Sequence, residues 1–289
     1  MFNIVNNIRQ IITGFLNMKY TLHTHTVGFD GRDSVQSMVN RARDLGFKTI
    51  GISNHFIVNP VIKNTKMYPY SVRGGYSNIY SSSFEEALLR FMPHYHEVRS
   101  IQELNPDMKI LCGMEVDFFQ DLKWLHGFEN AINLLKPDYT IGSAHFIEYG
   151  GTLLNSHDWK NADEKTREQL LKRYWTKVAL AADSGLFTWL AHLDLPKKTG
   201  LGREEKWMGY ENIAVESAAK TNTAIEINTS FYRDYCYEPY PSNRILQMMK
   251  EHNVATIISD DAHETKNIGR HFDEACKIIQ DFKLNTLVR

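Results

Sequence analysis

The chain has 289 residues, a formal net charge of −1 and 43% hydrophobic residues, which is an ordinary balance for a globular protein. The near-zero charge excludes a global field that would recruit nucleic acid or a membrane surface. Three cysteines, Cys112, Cys236 and Cys276, form neither a CxxC pair nor a disulfide framework. We therefore expect reduced thiols in a cytoplasmic protein.

Residues 1–18 form a mildly apolar segment that polar residues interrupt, which predicts neither a signal peptide nor a membrane span. Its apolar residues share one side of a helical wheel: Ile4, Ile8, Ile11, Ile12 and Phe15. Two interpretations stay open. The segment is either a helix packed on the body or an extension upstream of a start at Met18.

The rest of the chain alternates short apolar runs with helical patterns. The predicted strands lie at 19–25, 48–53, 109–116, 138–144, 187–193, 223–228 and 254–259. The predicted helices lie at 35–46, 84–104, 121–135, 163–184, 210–220, 242–252 and 271–281. Seven such cycles predict an α/β fold with a parallel barrel, whose chemistry sits at the carboxyl ends of the strands. No shift in composition divides the chain, so we expect one domain over 19–289.

One connection, residues 56–83, is long and rich in Tyr, Ser, Gly and Pro, and its pattern predicts no clear helix. Long loops in compact domains are usually functional or disordered. The segment is therefore either a lid over the site or a surface insertion.

Five of the seven predicted strands end in histidine, and a sixth ends in Glu115. The histidines are His23, His25, His55, His145, His192 and His263. His23 and His25 are two residues apart on a strand, so their side chains share a face. Imidazole and carboxylate are the groups that hold zinc, iron or manganese. The pattern predicts a metal site built from distant segments.

Counting donors predicts two or three metal ions. The six histidines, Glu115, Asp261 and either Asp30 or Asp33 give nine ligands, whereas one catalytic metal needs about three protein ligands and an open position. We expect Glu115 to bridge metals, and Glu115, Asp261 and His263 to be the catalytic residues. Two close divalent ions most often hydrolyse phosphoesters, although deamination and amide hydrolysis stay open.

The other six histidines are predicted to be surface residues: His94, His96, His126, His157, His252 and His271. The one strand without a metal-binding residue at its end carries Asn228, Ser230 and Arg233, which we expect to bind a phosphate group. Lys197, Lys198 and Arg203 follow His192 and are interpreted as a solvated loop that adds positive potential. No P-loop or GxGxxG motif indicates a nucleotide cofactor.

Together these motifs resemble the PHP (polymerase and histidinol phosphatase) superfamily. The resemblance rests on His23-Thr-His25 with Asp30-Gly31, Asn54-His55, Gly113-Met-Glu-Val-Asp117, Gly142-Ser-Ala-His145, Ala191-His-Leu-Asp194 and Asp261-Ala-His263. It runs over residues 19–275. Glu115-Val-Asp-Phe, Ser143-Ala-His-Phe-Ile and Glu226-Ile-Asn-Thr-Ser resemble the histidinol-phosphate phosphatase branch.

The resemblance implies a distorted seven-stranded TIM-like barrel with a trinuclear site. It assigns His23, His25, Glu115 and Asp261 to the first metal, and Glu115, His145 and His192 to the second. His55 and His263, with Asp30 or Asp33 from the first loop, are assigned to the third. The implied reaction is hydrolysis of L-histidinol phosphate, a step of histidine biosynthesis, by a hydroxide that bridges the metals, with Arg233 holding the phosphate.

Two features depart from that branch, and both fall at the third metal. The first loop, 28–33, is shorter than usual and lacks a histidine after a proline, and Asn54 stands where an acidic residue is usual. Three alternatives follow: hydrolysis of another phosphomonoester, a phosphodiesterase or exonuclease activity as in other PHP members, or a metal-binding protein without activity. Neither a membrane nor a nucleic-acid partner is expected, and the oligomeric state is left open.

Overall fold

The structure is a computed structural model that describes residues 20–231 and 238–287. The predicted N-terminal helix or extension, residues 1–18, therefore lies outside the described residues, as does Arg233. Within the described ranges, no helix is both long enough and apolar enough to cross a membrane.

The strands of the described residues include all seven predicted ones. In chain order they are β1 (Tyr20–Thr21), β2 (Thr49–Ile52), β3 (His55–Val58), β4 (Tyr80–Ser81), β5 (Lys109–Asp117), β6 (Tyr139–Ser143), β7 (Phe146–Tyr149), β8 (Thr152–Asn155), β9 (Trp189–Leu190), β10 (Ala224–Asn228), β11 (Ala255–Ser259) and β12 (Asn285–Thr286).

The α-helices match the seven predicted helical stretches and add two short ones. They are α1 (Val35–Asp44), α2 (Tyr68–Gly74), α3 (Phe84–Leu104), α4 (Leu122–Leu135), α5 (Ser156–Trp159), α6 (Glu164–Asp183), α7 (Met208–Thr221), α8 (Asn243–Glu251) and α9 (Phe272–Phe282). The first shows how the sequence sets the bounds. The Ser34 side chain caps α1 by accepting from the N–H of Ser37, and Gly46 follows its end at φ +82°.

The main sheet is parallel and runs in the order β1-β2-β5-β6-β9-β10-β11-β12. The segment that continues β1 pairs with the segment that follows β11. The N–H of His25 donates to the Ala262 carbonyl at 2.8 Å, and the N–H of Ala262 donates to the His23 carbonyl at 3.1 Å. The first and seventh predicted strands thus come together at the mouth. The prediction of a distorted seven-stranded barrel is confirmed, with β12 as a further short strand beside β11.

Large aromatic side chains fill the lower barrel interior. Tyr139 stacks on Trp189 at 4.9 Å between ring centroids and donates its hydroxyl to the Leu22 carbonyl at 2.6 Å. A Cβ at Gly51 or Gly113 would collide with the Tyr139 ring, so these two strand glycines make room for it. The interior is therefore packed below, and polar side chains gather above it at the mouth.

Residues 56–83 are more regular than the sequence predicts. They contain the rest of β3, helix α2 and strand β4, so the prediction of no clear helix is wrong. The helix has only seven residues, a proline in its first turn and Gly75 in the left-handed region after it, which hides its periodicity. Tyr76, Ile79 and Tyr80 from this segment line a cavity at the barrel mouth. It therefore forms part of the cavity wall; a lid movement stays a prediction.

A hairpin that the sequence analysis did not predict follows β6. Strands β7 and β8 pair antiparallel, with Tyr149 opposite Thr152. The two residues between them, Gly150 and Gly151, have φ of +59° and +77°, which glycine adopts readily in tight hairpin turns.

Candidate metal centre

The carboxylate of Glu115 lies at the centre of the histidine cluster. It is fully buried and projects from β5 into the barrel mouth. Its Oε1 lies 2.9 Å from Nε2 of His192 and 3.4 Å from Nε2 of His145. Its Oε2 faces three further imidazoles, at 2.9 Å from His55 Nδ1, 3.3 Å from His23 Nε2 and 3.6 Å from His25 Nε2. Five histidines from four different strand ends thus surround one carboxylate.

The first loop brings Asp30, rather than Asp33, into this cluster. Asp30 Oδ2 lies 3.0 Å from Nε2 of His55 and 3.1 Å from Nε2 of His263, and its Oδ1 lies 3.5 Å from Nδ1 of His25. The carboxylate of Asp33 instead accepts from the N–H of Thr265 at 2.7 Å. The choice that the sequence left open therefore favours Asp30.

Asp261 completes the cluster on the opposite side. Its Oδ1 lies 3.2 Å from Nε2 of His25, 3.7 Å from Nε2 of His23 and 3.5 Å from Nδ1 of His263. Both Asp261 and His192 have positive φ, +49° and +25°. Such backbone strain in non-glycine residues costs about 1–3 kcal/mol and is typical of functional sites. These two strand ends are bent so that their side chains reach the cluster.

The predicted ligands fall into three overlapping groups whose donor atoms lie within 4.8 Å of one another. The groups are His25, Asp30, His55 and His263; His23, His25 and Asp261; and His55, Glu115 and His145. His192 adds to the third group through its 2.9 Å contact with Glu115. All nine predicted ligands, with Asp30 as the one from the first loop, therefore converge on one site.

The hydrogen bonding of the cluster fits a set of metal ligands. Over the residues that the structure describes, several buried polar atoms here have no hydrogen-bond partner: Nε2 of His23, both ring nitrogens of His25, Nδ1 of His55, Nδ1 of His192, Oδ1 of Asp30 and Oε2 of Glu115. Buried polar atoms without a partner are rare and call for an explanation. Most of these atoms face other nitrogen and oxygen atoms of the same cluster that could bind a metal. This is the arrangement expected around shared divalent ions.

The charges of the cluster also fit a metal-binding site. Burial disfavours ionisation of Glu115, Asp30 and Asp261, but the surrounding imidazoles outweigh it and hold the pKa of each carboxyl well below its ordinary value. Burial likewise lowers the pKa of His263, but the charges of Asp30 and Asp261 raise it to about 9. One buried and two half-buried carboxylates therefore make the cluster attract positive charge, which metal ions would supply in place of protons.

A cavity of about 740 Å³ opens directly onto the cluster. Its polar wall includes Ser230, Lys198 and Arg270, and the opposite wall includes Met67 and Tyr76. Arg270 donates from Nη2 to the carbonyls of Asp260 at 2.7 Å and Asp261 at 3.4 Å. The cavity thus joins two cationic side chains to the metal-binding cluster, which suits an anionic ligand.

The three predicted phosphate-binding residues differ in where they lie. Ser230 lines the cavity, and Arg233 lies outside the described residues. Asn228 is fully buried behind the wall: its amide donates to Glu226 at 2.7 Å and to Asp261 at 3.4 Å, and its Oδ1 accepts from the N–H of Ser230 at 2.8 Å. Its prediction as a substrate contact is therefore corrected, because these bonds commit the side chain to holding its neighbours.

Of the histidines predicted to be on the surface, His94 is buried, so its prediction is wrong, whereas His157 is exposed as predicted. His94 is buried and its Nε2 lies 3.0 Å from Nδ2 of Asn54, and the exposed His157 lines the cavity. Asn54 also pairs with Thr26, accepting from its N–H and donating to its hydroxyl, both at 2.8 Å. Asn54, at which the chain departs from the branch that it resembles, is therefore bonded to Thr26 and His94 rather than to a metal ligand. It holds the start of the first loop.

Lys197 was interpreted as part of a solvated loop, and this was wrong. Its side chain is buried, with Nζ 4.9 Å from the centroid of the Tyr240 ring and 3.3 Å from Asp194. The adjacent Lys198 is exposed and lines the cavity. Glu226 was not among the predicted site residues. Its carboxylate lies directly behind His23, with Oε2 3.0 Å from Nδ1. The signal was a single acidic residue within an apolar strand.

The barrel and its histidine-carboxylate cluster define a metal-dependent hydrolase of the TIM-like class. The family model of the PHP domain matches residues 20–230. This is most of the chain, and the protein belongs to the PHP domain family.

Known relatives of the chain carry one functional name. It is 29% identical over 195 residues to a probable histidinol-phosphatase of Deinococcus radiodurans, covering 67% of this chain and 73% of the relative. It is 24% identical to the histidinol-phosphatase of Saccharomyces cerevisiae, covering 90% and 87%. A solved histidinol phosphate phosphatase from Lactococcus lactis, complexed with zinc, L-histidinol and phosphate, superposes with a TM-score of 0.66 at 16% identity, covering 93% of this chain and 95% of that one. This structural likeness supports the fold.

Proposed function

We propose that the protein is a metal-dependent phosphomonoesterase that hydrolyses L-histidinol phosphate to L-histidinol and phosphate. The observation that carries the proposal is the convergence of nine metal-binding side chains on a cavity whose wall also holds Lys198 and Arg270. The names of the two curated relatives, each aligned over at least two thirds of its own length, support the choice of substrate.

The residues divide into three groups of metal ligands. His23, His25 and Asp261 would hold one ion, Glu115 with His145 and His192 would hold a second, and Asp30 with His55 and His263 would hold a third. Glu115 contacts histidines of all three groups, so it is the residue that bridges them. Divalent ions bound here would supply Lewis-acid stabilisation and lower the pKa of water to about 7. Zinc, iron and manganese all suit such nitrogen and oxygen donors.

Other side chains of this chain bind and orient the ester. Lys198, Arg270 and the hydroxyl of Ser230 face the cavity and are placed to hold the phosphoryl oxygens. The apolar wall with Met67, Tyr76 and Ile79 provides a surface for the leaving alcohol. Below the cluster the barrel interior is packed with buried aromatic and aliphatic side chains, and the cavity that reaches the cluster lies at the mouth. Arg233, outside the described residues, stays a predicted phosphate contact.

Phosphate release from a panel of esters tests the proposal. The purified protein, loaded in turn with zinc, manganese or iron, is assayed with L-histidinol phosphate, several other phosphomonoesters and a phosphodiester. We expect a kcat/KM for histidinol phosphate at least ~100-fold above every other ester, equivalent to about 2.7 kcal/mol. Turnover of the other monoesters without histidinol phosphate would reject the substrate, and turnover of the diester alone would reject the monoesterase class. Glu115→Ala serves as the inactive control.

A further inference from the structure

Glu226 is a fully buried carboxylate that lies between the aromatic barrel interior and the metal cluster. It projects inward from β10, and its two oxygens have five donor partners in the described structure. Oε2 lies 3.0 Å from His23 Nδ1 and accepts from Trp189 Nε1 at 3.2 Å and the Ser259 hydroxyl at 2.8 Å, while Oε1 accepts from the His192 N–H at 2.9 Å and from Asn228 Nδ2 at 2.7 Å. Four of these five partners donate to Glu226, two to each oxygen, so both oxygens act as acceptors, as in an ionised carboxylate.

This arrangement determines which nitrogen of His23 carries a hydrogen. A neutral imidazole has one N–H and one lone pair. Since Nδ1 faces the acceptor Oε2, it carries the hydrogen, and the lone pair is left on Nε2. That nitrogen is the one that faces the cluster, 3.3 Å from Glu115 and 3.7 Å from Asp261.

The other oxygen of Glu226 acts on a second strand end. It accepts from the backbone N–H of His192, a residue with φ of +25°. The imidazole of His192 then reaches Glu115 Oε1 through Nε2 at 2.9 Å. One carboxylate therefore holds the ring of one predicted ligand and the backbone of another.

We propose that Glu226 is a positioning residue that fixes His23 in the tautomer with Nε2 free to bind metal, and fixes the strand end that carries His192. Carboxylates behind metal-bound histidines commonly orient the ring and strengthen binding. The inference rests on the metal centre of the proposed function but not on the identity of the ester. Zinc binding tests it separately from turnover.

The first test compares zinc binding by the full chain and by Glu226→Gln. The glutamine side chain matches the carboxylate in size, but its NH2 group is a donor at a place where other donors already converge. It would therefore favour the His23 tautomer with the hydrogen on Nε2, or break the contact with Nδ1. We expect zinc affinity to fall by about 10–100-fold, with fewer ions retained after dialysis. Glu211→Gln is the matched control, since Glu211 is also a buried carboxylate but pairs with Arg244, away from the cluster. It should keep zinc binding at the level of the unmodified protein.

A spectroscopic test reads the tautomer in the unmodified protein and uses a variant only to assign the His23 signals. Nitrogen-15 NMR of the zinc-loaded protein distinguishes protonated from unprotonated imidazole nitrogens, and His23 is identified by its replacement with glutamine. We expect a protonated Nδ1 and a metal-bound Nε2. An unprotonated Nδ1 in the unmodified protein would overturn the proposal, as would unchanged zinc affinity in Glu226→Gln. Glu226→Asp, which keeps an ionised acceptor, should retain more zinc affinity than the glutamine variant; equal loss in both would also contradict a role in setting the tautomer.

The outcomes separate this inference from the proposed function. If zinc binding and the tautomer behave as expected while L-histidinol phosphate is not hydrolysed, the positioning role stands and the substrate assignment fails. If hydrolysis is observed but Glu226→Gln binds zinc normally, the substrate assignment stands and the positioning role fails.

Discussion

Asp30 Oδ2 lies 3.1 Å from His263 Nε2 at the barrel mouth, although 233 residues separate the two in the chain. The same oxygen lies 3.0 Å from His55 Nε2. The first loop therefore delivers a carboxylate between two histidines that come from different strands. This contact defines the third group of ligands and distinguishes Asp30 from Asp33.

We expect Asp30→Asn to lose about one metal ion per chain, because a site of this kind needs about three protein ligands. Asp33→Asn should keep all its metal and lose only stability, by about 0.5–1.5 kcal/mol, since Asp33 bonds the N–H of Thr265. Elemental analysis after dialysis and thermal unfolding measure the two effects. Equal metal loss in both variants would contradict the assignment.

Glu115→Gln should release metal and lower kcat/KM by at least ~100-fold, because Glu115 contacts five histidines and bridges the ligand groups. Elemental analysis and phosphate release are measured on the same sample. Glu211→Gln removes a buried carboxylate elsewhere and should retain metal and activity. A Glu115→Gln variant with full metal content and full turnover would show that the bridging role is wrong.

Asn54→Ala should destabilise the fold but leave the metal content unchanged. The amide of Asn54 satisfies the N–H of buried Thr26 and contacts His94, so its loss leaves buried polar groups without partners, at a cost of about 1–3 kcal/mol. Urea unfolding gives the stability and elemental analysis the metal content. Loss of metal without loss of stability would contradict this structural role and would mean that Asn54 acts on the metal centre.

The positions of the histidines follow from the sequence because of topology. In a parallel barrel every strand delivers its carboxyl end to the same mouth, so His55, Glu115 and His145 converge without any knowledge of tertiary contacts. The alternating apolar runs were enough to place the strands. The sequence left the choice between Asp30 and Asp33 open, because both lie in one short loop and only their tertiary contacts separate them: Asp30 lies beside His55 and His263, whereas Asp33 accepts from Thr265.

The residues that support the metal ligands were not predicted, because their partners are distant in the sequence. The five partners of Glu226 come from three other strand segments and its own strand, so no local sequence pattern predicts them. Lys197 looked like a loop lysine because the aromatic ring of Tyr240 that covers it is distant in sequence. Helix α2 was missed because it has only seven residues, with a proline in its first turn and Gly75 after its end, and so short a segment shows little periodicity.

Removal of metal should lower the thermal stability of the whole barrel. The ligands come from six strand ends and the first loop, so bound ions would tie these segments together in the folded state. An ion present at ~100 times its Kd stabilises the folded state by about 2.7 kcal/mol per site. Thermal unfolding with and without a chelator measures the effect, and added zinc should restore the original midpoint. A midpoint that does not change on complete removal of metal would contradict a binding site in the folded state.

Lys198→Gln should raise KM for the phosphomonoester by about 10-fold, roughly 1.4 kcal/mol, with metal content unchanged. Lys198 lines the cavity beside the cluster but belongs to none of the ligand groups, so its charge acts on the substrate anion rather than on the metals. Inorganic phosphate should inhibit the variant more weakly by a similar factor. Lys206→Gln is the matched control, because Lys206 is an exposed lysine that pairs with Glu168 outside the cavity lining. If both variants show the same kinetics as the unmodified protein, Lys198 does not bind the phosphate, and the remaining cationic contact on the described wall is Arg270.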